Sequence, residues 1–482
     1  MIAMRLDEVA ALLGGRLVAG DPGAVVTGPI EFDSRKVGPG GLFVAFAGEH
    51  VDGHDFAGAA VRGGAVAVLG SREVADVPMI LLDDPRAGMG RLARALLDRL
   101  HDRPPGLTVV GLTGSSGKTT TKDFLAQVLD RLGPTVAPAG SLNNELGLPH
   151  TVLRADEGTR FLVLEMGARG AGHIKLLCDI APPQVGLVTN VGVSHIGEFG
   201  SVEAIAAAKG ELVEALPPDG LAVLNADDAL VRAMAARSAA RVVLAGEAPD
   251  AEVRAGEVVL DGRGRAAYTL HTPHGAAPVR LAVPGRHQVA NTVLVAAAAL
   301  ELGMPVAAVA AALGQLRQVS GRRMDVVDRA DGVTVIDDSY NANPGSTATA
   351  LQALVALGRG RRTFAVLGYH AELGGYERAG HEEVGRLAAQ VGVDRLVVVG
   401  EPAAAIVDGA AVVESWGGTS VLVTDQAAAI ALLEAELRPD DVVLVKGSRY
   451  RTWDVADALR APSGDGADAL RPGAGYAAET TG

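Results

Sequence analysis

The chain has 482 residues, enough for three domains of ordinary size, and its 48% hydrophobic and 21% charged composition supports a packed globular core. With 43 Lys+Arg against 57 Asp+Glu the net charge is -14, and aromatics are only 3%. That balance excludes a general nucleic-acid or anionic-membrane binder, so any phosphate-bearing ligand must be held by local features and not by a global positive field. The single cysteine, Cys178, excludes an internal disulfide and a thiolate zinc cluster and reads as a small buried hydrophobe.

The N-terminus, Met1-Ile2-Ala3-Met4-Arg5-Leu6-Asp7-Glu8, has acids where a signal peptide needs an apolar run. A cytoplasmic protein without membrane insertion is expected. Short Val/Leu/Ile runs then alternate with Ala/Leu-rich stretches, the pattern of α/β folding with largely parallel sheets. A first section, residues 1–105, closes with a helix predicted over 86–101 and the loop Asp102-Arg103-Pro104-Pro105-Gly106.

The central section, 106–318, opens with the predicted strand Leu107-Thr108-Val109-Val110-Gly111. There follows Thr113-Gly114-Ser115-Ser116-Gly117-Lys118-Thr119-Thr120, and then a helix predicted over 122–131. Strand, glycine-bearing loop and helix are the context of a phosphate loop, in which backbone N–H groups hold phosphates at a helix N-terminus. Lys118 would neutralise β/γ-phosphates and the Thr119 hydroxyl would ligate Mg²⁺. The usual motif has a glycine five positions before Gly117, where this chain has Leu112; its loop is the shorter one that begins at Gly114.

In open α/β sheets ligands lie beyond the carboxyl ends of strands. The run Phe161-Leu162-Val163-Leu164 is followed by Glu165, a carboxylate that can bind Mg²⁺ or simply cap a helix. The run ending in Val188-Thr189 is followed by Asn190 and, further on, His195, which by itself also fits a satisfied loop histidine. Lys209, in Ala206-Ala207-Ala208-Lys209-Gly210-Glu211, reads by pattern alone as a lysine on a solvated helix face. The most apolar stretch, 292–313, is interrupted by Glu301, Gly303 and Pro305, so it predicts two Ala-rich helices and not a membrane span. In the third section, 319–462, Val333-Thr334-Val335-Ile336 runs into Asp337-Asp338-Ser339-Tyr340-Asn341. Val442-Val443-Leu444-Val445 runs into Lys446-Gly447-Ser448-Arg449. The tail, 463–482, has almost no large apolar residue and is expected to be disordered.

Taken in order, these segments resemble the Mur ligase family over about residues 5–460. Asp33-Ser34-Arg35-Lys36 through Phe43-Val44-Ala45, with Asp52-Gly53-His54-Asp55-Phe56, resembles the family's UDP-holding domain, which implies Ser34 and Arg35 in substrate binding. The loop from Gly114 through Ser115, Ser116, Gly117, Lys118 and Thr119 to Thr120 resembles its ATP loop. Leu142-Asn143-Asn144-Glu145 and Asp337-Asp338-Ser339-Tyr340-Asn341-Ala342-Asn343-Pro344 are similar to segments of the branch that adds D-alanyl-D-alanine. The Asp-Tyr-Ala-His and Asp-Asn-Pro-Arg runs of the branch that adds the third peptide residue do not occur.

The resemblance implies three domains: a central P-loop-type, mostly parallel sheet with helices on both faces, a Rossmann-like C-terminal α/β domain, and a smaller N-terminal α/β domain. It implies Thr119, Glu165, His195 and Lys209 as metal positions, with Lys209 carbamylated and two Mg²⁺ sites. It implies His287, Asn291, Arg322 and Asp338 at ATP, and Asn143, Asn144, Tyr340, Asn341, Asn343, Lys446, Ser448 and Arg449 at the peptide and acceptor. The implied reaction joins D-alanyl-D-alanine to UDP-N-acetylmuramoyl-tripeptide through an acyl phosphate formed from ATP, by a monomer with no nucleic-acid partner. The alternative is another ligase of the family with a different acceptor. In Gly368-Tyr369-His370-Ala371-Glu372-Leu373-Gly374 the chain departs from the family, which tends to have an acid where Tyr369 stands.

Overall fold

The computed structural model describes residues 2–48, 51–101, 103, 106–448 and 450–460. Arg449, expected at the substrate, and the tail 463–482 lie outside the described residues. Three sheets and one small β-pair organise the chain into a three-domain α/β architecture. By contacts it divides into two compact units. The first comprises Met1–Arg323 together with the short segments Asn343–Thr349 and Ala371–Gly380. The second comprises Met324–Ala342, Ala350–His370 and His381–Gly482.

Within the first unit, a five-stranded sheet runs in the order Arg16–Val18, Met79–Leu81, Ala65–Gly70, Gly41–Val44, Ile30–Glu31. The helix Pro85–His101 closes that section, one residue earlier than the predicted start. The central sheet has nine strands. Seven are parallel, and the core of the sheet is the trio Val185–Val188, Thr108–Thr113 and Phe161–Glu165, side by side in that order. Successive residues of these strands enter different hydrophobic clusters: Val109, Leu162 and Leu164 face one side, Val110, Leu112, Phe161 and Val163 the other. Both faces are therefore buried, which is why the runs read as unbroken apolar segments. The helix Lys118–Leu129 covers one face, and the helices His173–Ile180 and Val202–Glu214 contribute to the other. Cys178 is buried in this core and its thiol is pushed up to about 12 by burial, as expected of a packing residue.

The sheet ends in an antiparallel extension, Val253–Leu260, Arg265–Thr272 and Gly275–Pro284. Its strands alternate buried and exposed residues, because only one face is covered. The apolar stretch at 292–313 forms two helices, Gln288–Glu301 and Val306–Leu313, broken at Gly303 with φ +94°. Among the described residues no helix is long and apolar enough to cross a membrane.

In the second unit a six-stranded sheet runs Asp325–Asp328, Thr334–Asp337, Val442–Lys446, Thr363–Leu367, Arg395–Val399, Thr419–Val423. All pairings are parallel except that of the first strand. Alternate residues again divide between two clusters, Ile336, Ala365 and Leu444 against Val335, Phe364 and Val443.

Candidate active site

The three adjacent central strands end at one level, which brings the loops leaving them together. Thr189 N donates to Thr113 O at 3.0 Å and Met166 N to Leu112 O at 2.8 Å, so the phosphate loop, Glu165 and Asn190 meet at the carboxyl edge. Leu112, where a longer loop would need glycine, is a fully buried strand residue. The chain leaves the strand at Gly114, with φ +153°, where a Cβ would lie 1.8 Å from Thr189 Oγ1. Gly117 is left-handed at φ +79°, and the helix starts directly at Lys118, four residues before the predicted start. The turn itself supplies the helical geometry that local propensity underrates.

No side chain caps that helix, so its first-turn amides present a positive end to an anion. The loop is held by its neighbours. Asn190 accepts Ser115 N through its backbone oxygen (2.9 Å) and Ser116 N through its side-chain oxygen (2.9 Å). Thr189 Oγ1 donates to Ser116 O at 2.7 Å. Lys118 Nζ donates to Gly114 O at 2.8 Å. Burial holds its ammonium below the usual lysine range; Glu165 opposes that shift and Arg323 adds to it.

Glu165 is 1% exposed and takes three hydrogen bonds: from Thr119 Oγ1 at 2.9 Å, Ser141 Oγ at 2.8 Å and Asn143 Nδ2 at 2.8 Å. Such charge-assisted bonds are worth about 1.5–3 kcal/mol each, and they fix the carboxylate beside the loop. Arg323 Nη2 reaches Thr119 Oγ1 at 3.2 Å. Lys122 is buried, with its Nζ donating to Pro138 O at 2.8 Å and Gly140 O at 3.1 Å, which anchors the segment that delivers Ser141. Sequence reasoning missed Arg323, Ser141 and Lys122. Arg323 is adjacent to the expected Arg322, and Ser141 nearly abuts the expected Asn143, but nothing local says which side chain reaches the loop.

Lys209 overturns its pattern-based reading as a solvated lysine. It lies on the helix Val202–Glu214 and is 4% exposed. Burial, with the Lys118 ammonium adding to it, pulls its amine down to about 7. Among the described residues its Nζ makes no hydrogen bond or ion pair.

The other expected residues occupy a range of settings. Asn291 lies against the phosphate loop: a Cβ on Gly117 would come within 2.8 Å of its Oδ1, and its Nδ2 donates to Gln288 at 2.9 Å. His287 is half-buried beside Gly285. Thr120 is half-buried on the first helical turn, and Asn144 caps the turn into Gly147–Val152 by accepting Gly147 N at 2.9 Å. His195 is left-handed (φ +59°), with Nδ1 2.5 Å from Glu372 Oε2. Asn343 Nδ2 donates to Ser194 Oγ at 2.7 Å. Arg322 is half-buried, with φ +59°. Ser34 is half-buried and Arg35 is exposed, paired with Asp33 at 2.9 Å; neither is drawn to the phosphate loop.

In the second unit, Asp338 and Lys446 lie at the ends of adjacent parallel strands and pair at 2.5 Å. Lys446, expected at substrate, is 2% exposed and also donates to Asn341 O at 2.9 Å, so in this structure it organises the 338–341 turn. Tyr340 is half-buried in that turn. Ser448 donates through N (3.0 Å) and Oγ (2.9 Å) to Tyr369 O. The Tyr369 ring stacks on His381 at 5.3 Å. Buried His370 is held well below the usual histidine range, first by burial, then by His381 and Lys446.

A short phosphate loop at the edge of a parallel sheet, a buried glutamate beside it and a deprotonation-prone buried lysine define a nucleotide-using α/β enzyme site. The chain belongs to the Mur ligase family: residues 29–96 match the Mur ligase family catalytic domain, 112–299 the Mur ligase middle domain and 322–449 the Mur ligase glutamate ligase domain. It is 47% identical, over 98% of its own length and all of the relative's, to the UDP-N-acetylmuramoyl-tripeptide–D-alanyl-D-alanine ligase of Mycobacterium tuberculosis. It is 36% identical to the Escherichia coli protein of that name, over 93% of this chain and 96% of that one. Among solved structures it resembles MurF from Acinetobacter baumannii with TM-score 0.85 and 30% identity, covering 96% and 100% of the two chains. It also resembles the MurF ligase of Thermotoga maritima in complex with ADP, with TM-score 0.77 and 30% identity over 90% and 97%.

Proposed function

We propose that this chain is an ATP-dependent amide ligase that joins D-alanyl-D-alanine to the peptide carboxylate of UDP-N-acetylmuramoyl-tripeptide, giving the pentapeptide precursor of peptidoglycan. The observation that carries the mechanism is the buried Lys209 amine, held at about 7, in the same unit as the phosphate loop and Glu165.

A carboxylate is a poor electrophile toward amines, so it must be activated first. The tripeptide carboxylate oxygen attacks the γ-phosphorus of ATP, an acyl C–O–P linkage forms and ADP leaves. The amine of D-alanyl-D-alanine then attacks the acyl carbon, phosphate departs with the C–O bond's electrons, and the amine gives up a proton. Phosphoryl transfer of this kind depends on positioning and charge neutralisation. The uncapped amides after Gly117, with Gly114, Ser115, Ser116 and Thr120, cradle the phosphates. Lys118 exchanges Gly114 O for a phosphate oxygen. Asn291 and His287 contribute to the nucleotide site, with Arg322 and Asp338 from the start of the third section. Ser34 and Arg35 take the UDP end; Asn143, Asn144, Tyr340, Asn341, Asn343, Lys446, Ser448 and Arg449 serve the peptide and acceptor.

The donors suit a hard cation: Thr119 hydroxyl, Glu165 carboxylate, His195 and a Lys209 carbamate would hold Mg²⁺, which supplies charge neutralisation along the phosphates. The carbamate forms when the neutral Lys209 nitrogen adds to CO₂ and releases a proton, turning a buried base into an anionic oxygen ligand. An amine held near 7 is available for that addition at neutral pH, whereas an ordinary lysine is almost wholly protonated.

The test is phosphate release with UDP-N-acetylmuramoyl-tripeptide, carrying lysine or diaminopimelate at the third position, with and without D-alanyl-D-alanine. Turnover should require both substrates, and other acceptors should be poor. Phosphate release indifferent to the dipeptide would make the chain an ATPase instead. Lys209→Ala should lose most ligation while still binding ATP, and acetate or formate should restore part of it.

A further inference from the structure

The strand Ile30–Glu31 is the edge of the five-stranded sheet, two residues long and paired on one side alone, with Gly41–Val44. So short an edge strand is weakly held by its own ladder. A second hold comes from 119 residues away: His150, on the helix Gly147–Val152 of the central section, places Nε2 3.0 Å from Glu31 Oε2. The two side chains are 13% and 16% exposed, so the pair forms largely out of water. The His150 ring also stands edge-on to Phe32 with centroids 5.2 Å apart, and Phe32 leans on Phe46 at 6.2 Å. His150 Nδ1 is buried without a partner among the described residues, a cost that a residue present only for packing would not carry.

Each end of the pair leads into a segment with a place in the site. Glu31 runs directly into Phe32-Asp33-Ser34-Arg35, closed as a turn by Arg35 N on Asp33 Oδ1 at 3.1 Å and by Lys36 N on Asp33 O at 2.9 Å. On the other side, the helix of His150 is started by Asn144, whose Oδ1 accepts Gly147 N at 2.9 Å and whose O accepts Leu148 N at 2.9 Å. Asn143, next to it, donates to Glu165 Oε1 at 2.8 Å and accepts Gly167 N at 2.8 Å. A Cβ on Gly147 would lie 2.7 Å from Leu142 Cα, so the helix sits tight against the segment before it. A continuous path of bonded groups therefore runs from Glu165 through Asn143, Asn144 and His150 to Glu31 and the turn that carries Ser34 and Arg35.

We propose that His150 is a positioning residue for the nucleotide-sugar end of the substrate. Held from the central section, Glu31 fixes the turn of Ser34 and Arg35 relative to Asn143 and Glu165, so that one extended molecule meets both places at once. This role rests on the reading of Ser34 and Arg35 as the UDP end, and adds that the placement of that end is decided by a central-section residue acting through Glu31. The reacting carboxylate is held elsewhere, so loss of the pair weakens capture of the substrate and not the chemical step.

The test compares three variants: His150→Phe, which keeps a ring against Phe32 and loses the donor; His150→Gln, whose amide N–H still reaches for Glu31; and Glu31→Leu. Binding of UDP-N-acetylmuramoyl-tripeptide is read by calorimetry without ATP, KM and kcat by phosphate release, and ATP affinity separately. Chemical denaturation checks that each variant is folded. His150→Phe and Glu31→Leu should each weaken the UDP-peptide and raise its KM by about tenfold, with kcat and ATP affinity within about twofold of wild type, and His150→Gln should recover most of the loss. Unchanged UDP-peptide affinity in His150→Phe and Glu31→Leu overturns the positioning role and leaves the ligase reading standing. A loss that His150→Gln does not recover, or that ATP shares equally, does the same, since it reduces the pair to ordinary packing. Wild type that binds the UDP-peptide without ligating it overturns the ligase reading alone, and the variant affinities still decide the role of His150. Wild type that does not bind the UDP-peptide overturns both.

Discussion

Lys209→Met tests the burial of the amine without requiring any knowledge of substrate. The side chain keeps its length and loses only the ionisable group. In the unfolded chain the lysine titrates near 10.5, and in the fold near 7. The folded pKa is the lower, so between these values the unfolded chain binds a proton that the folded chain refuses. Stability of the unmodified protein therefore rises with pH across 7 to 10.5 and is flat outside it. At pH 7.5 most of the penalty is in force. At about 1.4 kcal/mol per pH unit it approaches ~4 kcal/mol, and relaxation around the site brings the expected gain of Lys209→Met to about 2–4 kcal/mol. The assay is urea unfolding of both proteins in CO₂-free buffer at several pH values. The variant should be the more stable at pH 7.5, with the gap closing as pH approaches 10.5. Bicarbonate should stabilise wild type and leave the variant unchanged, because only the wild type has an amine to trap. A variant no more stable than CO₂-free wild type at pH 7.5, or a gap independent of pH, would refute the burial argument.

Lys118→Ala should lower turnover by about 10²–10³-fold, as removal of a preorganised charge at a developing anion does, with little change in melting temperature; turnover within tenfold of wild type would remove Lys118 from the mechanism. Asp338→Asn leaves the Lys446 ammonium buried without its carboxylate and should destabilise the second unit by about 3 kcal/mol in chemical denaturation, with Asp338→Asn/Lys446→Met recovering much of the loss; a change below ~1 kcal/mol in the single variant would contradict the pairing. Tyr369→Asp removes a ring stacked on His381 at 5.3 Å and set edge-on to Tyr450 at 5.6 Å, and should lower stability by about 1 kcal/mol and reduce turnover; turnover above wild type would mean that the family's acid is missed here and not replaced.

Much of this protein is written locally. Unbroken apolar runs such as Phe161-Leu162-Val163-Leu164 state that a strand is covered on both faces, and the structure buries alternate residues in two different clusters. Gly303 and Pro305 mark the break between two helices because each disfavours continuation whatever its surroundings. The phosphate loop is legible for the same reason: its glycines, its lysine and its strand-to-helix position are contiguous. The antiparallel extension over 253–284 is visible in principle as period-two alternation, but its polar, exposed half obscures the apolar one.

The properties decided by the tertiary structure alone depend on residues far apart in the chain. Lys209 reads as solvated from its helix and is buried, because exposure is set by the elements that pack over the helix and not by the helix itself. Glu165 acquires its buried, triply hydrogen-bonded setting only where three strand ends meet and Thr119, Ser141 and Asn143 converge on it. Arg323 reaches Thr119 across 204 residues, and Glu372 reaches His195 only because Gly197 and Gly374 let two backbones touch. Spacing along a chain records the local period of a helix or strand, whereas charge proximity, desolvation and pKa are sums over neighbours that only the folded chain supplies.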